Sequence, residues 1–315
     1  NIFVFFILGL FSCRAMSQQI TYSQPESDDI RTLDFEIVGK VSGNFLVYKS
    51  VRNKYTVSIY ENDMKLKDKV DLDFIPDKTI NVDFIAYSNF AYVIYQYQKR
   101  NILHCMAASI DGNGNLVKQP IELDTTYISF FADNKIYSTI NSEDKSKIMI
   151  YKIQKKNDKY NFTTALFDDS LRLLHISRIA TPYEDRKDIF SDFFVDNSGN
   201  FVFTKGAKLN SRDYLQQLSL VTKAPMQNNF IQNDLNLSGN YLDDIKLKID
   251  NVNGQYLINS LFYNRRNGNI EGLYTAVWDK KNEKPVSENF AQFNDTIRNE
   301  AKTEGGTRLA FNDYF

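Results

Sequence analysis

The chain has 315 residues, 43% of them hydrophobic, enough to bury an extended core, and nothing in its composition marks it as disordered. Its 38 basic and 39 acidic residues nearly cancel, so no bulk field argues for nucleic acid or an anionic membrane surface. Aromatic residues make up 14%, carried by 24 Phe and 19 Tyr with a single Trp, a bias that favours strands.

Residues Ile2 to Phe11 form an apolar run too short to span a bilayer and suited to the core of a secretory signal. Ala15 and Ser17 supply the small residues of a cleavage site, giving a signal segment over 1–17 and an exported protein, periplasmic, outer-membrane-associated or extracellular. Leu10 to Cys13 offers the alternative of a lipidated Cys13, which Arg14 directly after it disfavours. No transmembrane segment is expected after removal of the signal. Cleavage after Ser17 leaves Cys105 alone, so no internal disulfide is expected. In its apolar run Cys105 reads as a small buried hydrophobe.

After a polar leader over 18–33, alternating apolar residues begin near Asp34. The first unit reads FEIVGKV, FLVYKSV, YTVSIY and KLKDKVDL, joined by turns at Ser42-Gly43, Arg52-Asn53 and Glu61 to Asp63. The second repeats the order with NVDFIAY, FAYVIYQY, ILHCMAASI and LVKQPIEL. The third is read as ISFF, IYSTI, KIMIYKI and YNFTTALF, followed by a loop insertion from Asp168 to Asp188. The fourth contains Val195 to Lys205, VDNSGNFVFTK, two apolar runs around a turn, then LQQLSLV and FIQNDLNL. The fifth runs from IKLKID through YLINSLFY and IEGLYTAVW to Phe293. Thr296 to Thr303 is helix-compatible, and RLAFNDYF resembles a new strand, so 296–315 reads as a linker and the start of a further unit on a chain truncated at both ends.

Four short strands repeating at roughly 45 residues are the signature of propeller blades. Over 34–295 the chain therefore resembles β-propeller proteins, including uncharacterised secreted propeller-like proteins of bacteria. The expected fold is all-β, a β-propeller of four-stranded antiparallel blades, about five visible. The resemblance is one of architecture and implies no activity. Trp278-Asp279 echoes a WD40 strand end once only. The turns at Asp111 and Asp196 resemble Asp-boxes but lack their Gly and closing aromatic.

Asp111, Asn113, Asn115 and Glu122 have the spacing of a calcium loop, but Leu116 stands where that loop needs Gly, so a plain hairpin turn is the better reading and no metal or cofactor is expected. With His104 in a strand and His175 in the insertion, no nucleophile–histidine pair can be argued. The enzymatic alternative is a carbohydrate-active hydrolase using paired loop carboxylates from Asp168, Asp169, Glu184, Asp185, Asp243 and Asp244.

In a propeller the connections between second and third strands emerge on the same face as those between blades. On the unit assignment above, the former carry Arg52 and Lys54, Lys99 and Arg100, Lys145 and Lys147, Lys208 and Arg212, and Arg265 and Arg266. The latter carry Asp73 and Asp77, Asp124, Asp168 and Asp169, and Asp243 and Asp244. Such a face would dock an anionic glycan or an acidic protein segment, with Tyr97, Arg100, Tyr183, Arg186, Arg212, Tyr214, Arg265 and Arg266 as contacts. The bland reading is that hairpin tips favour Lys and Asn for solubility. The tracts Lys152 to Lys159 and Lys280 to Lys284 fall on the opposite face, where solvated charge is expected. A third possibility, a purely structural envelope protein, would expose apolar residues on fourth strands.

Overall fold

A computed structural model describes residues 20–25, 33–129, 131–132, 134–182, 188–208, 214–266 and 268–294. The expected signal segment, Cys13 and the segment 296–315 lie outside these residues. The described chain is all-β, arranged as five four-stranded antiparallel sheets. The first holds β1 (Leu33–Val41), β2 (Asn44–Val51), β3 (Lys54–Tyr60) and β4 (Leu66–Asp71). The second holds β5 (Thr79–Ala86), β6 (Phe90–Lys99), β7 (Ile102–Asp111) and β8 (Leu116–Tyr127). The third comprises β9 (Ser138–Asn141), β10 (Lys147–Lys156), β11 (Lys159–Asp168) and β12 (Leu173–Pro182). The fourth comprises β13 (Asp188–Val195), β14 (Phe201–Ala207), β15 (Gln217–Lys223) and β16 (Ile231–Asp234); the fifth, β17 (Tyr241–Asp250), β18 (Gln255–Tyr263), β19 (Gly272–Asp279) and β20 (Lys284–Gln292). In every sheet the strands lie side by side in chain order, the meander of a propeller blade.

The chain divides into two compact units, residues 1–97 with 106–122 and residues 98–105 with 123–315. In the first, Val41, Leu46, Val57 and Ile59 of the first sheet share a core with Ala91, Val93, Tyr95 and Ile110 of the second. In the second unit, the fourth sheet is covered on both faces. Phe201 and Phe203 meet Met149, Tyr151, Phe162 and Leu166 of the third sheet. Val202, between them and therefore on the other face, joins Leu247, Ile258 and Tyr274 of the fifth. That is why the middle strands read as unbroken apolar runs, Ala91 to Gln96 and Ile148 to Lys152 being buried without interruption. Fourth strands lie at a sheet edge and stay largely exposed. Cys105 is buried in β7.

The third sheet corrects the sequence reading by one strand. Ile128, Ser129 and Phe131 belong to no strand. Ile128 is 3% exposed and donates its N–H to the Asn101 carbonyl at 2.9 Å, so its apolarity serves to anchor a connection. The first strand is β9, and the expected loop insertion contains β12, whose alternation of Leu174, Ile176 and Arg178 on the solvent side hides its strand character. Two charge assignments change with it. Lys145 lies in the first connection of that sheet and Lys147 opens β10, while the second connection is the tight Asn157-Asp158 turn beside Lys156 and Lys159, both turn residues having φ of 53°. Asp168 and Asp169 lie between third and fourth strands, inside the sheet.

Candidate functional site

Of the eight contact residues the sequence suggests, Tyr183, Arg186 and Arg212 lie outside the described residues. Tyr97 and Arg100 belong to the β6–β7 hairpin. The half-buried Tyr97 ring stacks on Tyr95 at 6.3 Å, and burial followed by Tyr97 itself pushes the Tyr95 phenol up to about 12. Arg100 takes the exposed turn position at φ 56°, its carbonyl accepting from Gln98 Nε2 at 2.7 Å.

Tyr214 packs against Tyr263, two residues before the Arg265-Arg266 pair. Leu215 and Leu242 exchange backbone hydrogen bonds of 2.8 and 2.9 Å, joining the β14–β15 connection to the start of β17. This places the Tyr214 ring flat on Tyr263, centroids 3.9 Å apart and planes 15° from parallel. Two residues further, Arg265 and Arg266 are exposed on the β18–β19 connection, which a bond from Gly268 N–H to the Arg265 carbonyl tightens at 3.0 Å. Burial, then Tyr214, then the charges of Asp243 and Asp244 raise the Tyr263 phenol pKa. Asp244 is paired with Lys246 at 2.8 Å. In the first unit Asn53, Lys54, Asp71, Asp73 and Asp77 help to line a cavity of about 300 Å³.

A second constellation escaped the sequence reading and starts from a repeated turn. At Asp111, Asp168 and Asp196 the carboxylate Oδ1 accepts the N–H groups two and four residues on, all at 2.8 to 2.9 Å. The fourth residue, Gly114, Leu171 or Gly199, adopts positive φ, which glycine does at least cost. The fifth, Asn115, Arg172 or Asn200, returns a side-chain donor to Oδ2 at 3.3, 2.7 and 2.9 Å. The calcium-loop spacing at Asp111 is thereby explained as hairpin geometry: Asn113 and Asn115 donate to the aspartate. The same saturation commits both oxygens of Asp168, one of the suggested hydrolase carboxylates, to its turn. Glu184 and Asp185 lie outside the described residues.

Asp196 differs from the other two by being fully buried. Its Oδ2 also accepts from Lys280 Nζ at 2.7 Å and from Tyr256 Oη at 3.1 Å. The Lys280 ammonium stands 5.3 Å from the centre of the Tyr256 ring. Burial works against ionisation of Asp196, but Lys280 and Asn200 outweigh it and hold the carboxyl below its ordinary range. Burial, then the Asp196 charge, drive the Tyr256 phenol upward. Lys280, expected as solvated charge, has a side chain only 16% exposed. Lys152 corrects the same expectation for its tract. Its side chain is 8% exposed and Nζ donates to Asp124 Oδ2 at 2.8 Å and Tyr137 Oη at 3.0 Å, clamping the connection before β9 onto β10. Beside the Asp196 cluster, Thr222, Gln227, Trp278, Lys280 and Glu283 help to line a cavity of about 140 Å³ at the end of the fourth and fifth sheets away from Arg265.

Lys223 supplies a third buried cation. It is 2% exposed and its Nζ is held by the carbonyls of Ala224 and Pro225 at 3.1 Å each, with no ion pair among the described residues. Burial lowers its pKa. Because the folded value lies below the unfolded one, the unfolded chain binds more protons between the two, and stability rises as pH climbs through that window. Lys223→Met should therefore stabilise the protein at neutral pH and flatten this rise, read by urea denaturation at about pH 7 and pH 10. An equal slope in both proteins would contradict it.

No family model matches the chain, and no curated protein matches it. Among solved structures it is similar to Synechocystis apocarotenoid oxygenase, at 10% identity over 88% of this chain and 65% of that one, with a TM-score of 0.42. It is similar to a prolyl endopeptidase at 10% identity over 82% of this chain and 34% of that one, TM-score 0.45. It is also similar to oligopeptidase B from Trypanosoma brucei at 9% identity over 84% and 34%, TM-score 0.44. The chain spans less than two thirds of the length of each of these proteins.

Proposed function

We propose that the protein is an exported β-propeller-type binding module for acidic polymers, anionic glycans or acidic protein segments, and not a hydrolase. The observation that carries the reading is the exposed Arg265-Arg266 pair on a connection whose base is held by the Tyr214–Tyr263 stack. Paired guanidinium groups suit carboxylate and sulfate oxygens, and a fixed aromatic base limits the entropy lost on binding. Neutralisation of Asp244 by Lys246 removes one source of repulsion. Arg265→Glu with Arg266→Glu should abolish retention on a heparin column at low salt while the melting temperature stays unchanged. Retention equal to that of the parent protein would overturn the reading. Export belongs to the same proposal and is tested by fractionating cells that express the full reading frame.

One observation favours a second reading, assembly through sheet edges. The edge strand β12 exposes Leu174 by 48% and Ile176 by 42% on one side. Sedimentation at increasing concentration separates the two, since only the edge reading predicts self-association that Ile176→Lys removes.

A further inference from the structure

The 140 Å³ cavity beside Asp196 lies at the end of the fourth and fifth sheets away from Arg265, and its chemistry differs from that of the arginine loop. We infer that this cavity is a binding site for one uncharged, hydroxyl-bearing ring, the size and class of a single neutral sugar unit of a glycan. The inference does not rest on the acidic-polymer reading.

The volume decides the size. At 140 Å³ the cavity is below the roughly 300 to 1,000 Å³ of pockets that hold drug-sized ligands, and many times the space of a water molecule. The charges decide against an ion. Asp196 and Lys280 neutralise one another at 2.7 Å, and the remaining charged group in the lining, Glu283, would repel an anion. A lone exposed carboxylate beside an ammonium offers little to a cation.

Polar groups decide the class. Among the described residues the Thr222 hydroxyl, the Gln227 carboxamide N–H groups, the Trp278 indole N–H and the Glu283 carboxylate have no partner in the chain. Gln227 uses only its oxygen, which accepts from Ala224 N–H at 2.9 Å. Donors and acceptors are thus interspersed around an aromatic wall. A ring hydroxyl both donates and accepts, so a neutral polyol satisfies such a lining where an apolar molecule would leave it unpaired. Asp196 contributes by position. Held by its turn, Lys280 and Tyr256, it keeps the lysine from sweeping through the cavity.

Trp278 is the chain's only tryptophan and lines this cavity, so in the folded protein its emission is the probe of the site. The test is a fluorescence titration with free glucose, galactose, mannose and N-acetylglucosamine. At least one of them should shift the emission saturably, with a dissociation constant of roughly 1 mM or weaker, as befits a single ring. Thr222→Val, nearly the same shape, should weaken that binding about threefold to tenfold. Ala224→Leu, which fills the space, should abolish it, both variants melting as the parent does. Arg265→Glu with Arg266→Glu should leave the titration unchanged, so failure of the acidic-polymer reading and failure of this one are distinguishable. An emission that no sugar moves, a shift that survives both cavity variants, or a saturable response to sodium sulfate or glycine in place of the sugars would overturn the inference.

Discussion

Asp196→Ala is expected to destabilise the second unit by about 3 to 5 kcal/mol, the scale for breaking a buried ion pair from one side. The substitution strands the Lys280 ammonium, the Tyr256 hydroxyl, the Asn200 carboxamide and two turn N–H groups at once. Adding Lys280→Met should recover part of the loss, because the double variant no longer buries an uncompensated charge. Urea denaturation followed by Trp278 emission measures both. A loss below about 1 kcal/mol would mean that the cluster is solvated in solution. The pH dependence has a definite sign. Since the folded carboxyl lies below its unfolded value, its contribution is complete above the ordinary carboxylate range near 3.9 and is lost as pH falls through the folded value. Asp196→Ala should accordingly lose less stability than the parent between about pH 5 and pH 2.

Phe203→Ala is the second large effect, again about 3 to 5 kcal/mol. The ring is 1% exposed and lies 5.1 to 5.8 Å from Phe162, Phe190, Phe193, Phe201 and Phe230, three of them in its own sheet's first two strands. Rings that interlock from two sheets cannot collapse into the vacated space without moving both, so the cavity remains and its cost with it. By contrast Phe35, 61% exposed on β1, should tolerate alanine within about 0.5 kcal/mol. Equal losses for the two would show that the aromatic cluster is not the core of the second unit.

The strands were legible in the sequence because each obeys a local rule. Asn44, Asn53, Gly114, Gly199 and Gly254 punctuate apolar runs, and four of the five sheets fall where those runs stand. The third failed for a reason that local rules share. Ile128 is apolar because it anchors a connection, and β12 carries Arg178 because its outer side faces water, so hydrophobicity pointed to a strand at the wrong place and away from the right one. The arginine loop was legible as charge in a turn, whereas its tyrosine base needed the pairing of Leu215 with Leu242. The Asp196 cluster was the least legible. Aspartate in a turn is explained locally, and nothing within a few residues of it announces Lys280 or Tyr256.

The turn at Asp196 also has a consequence in time. Its backbone and Oδ1 bonds close within five residues and form as soon as the β13–β14 hairpin does, while Tyr256 and Lys280 arrive from strands some sixty and more residues later in the chain. Loop-closure entropy delays such distant contacts until the fifth sheet is in place. During refolding the aspartate is therefore first a hydrated turn and only afterwards a buried charge. Interactions that form after the transition state govern how fast the native sheets let go rather than how fast they assemble. Removing them should accelerate unfolding and leave the refolding rate nearly untouched, so that this one carboxylate acts less as a nucleus than as a bolt slid home at the end.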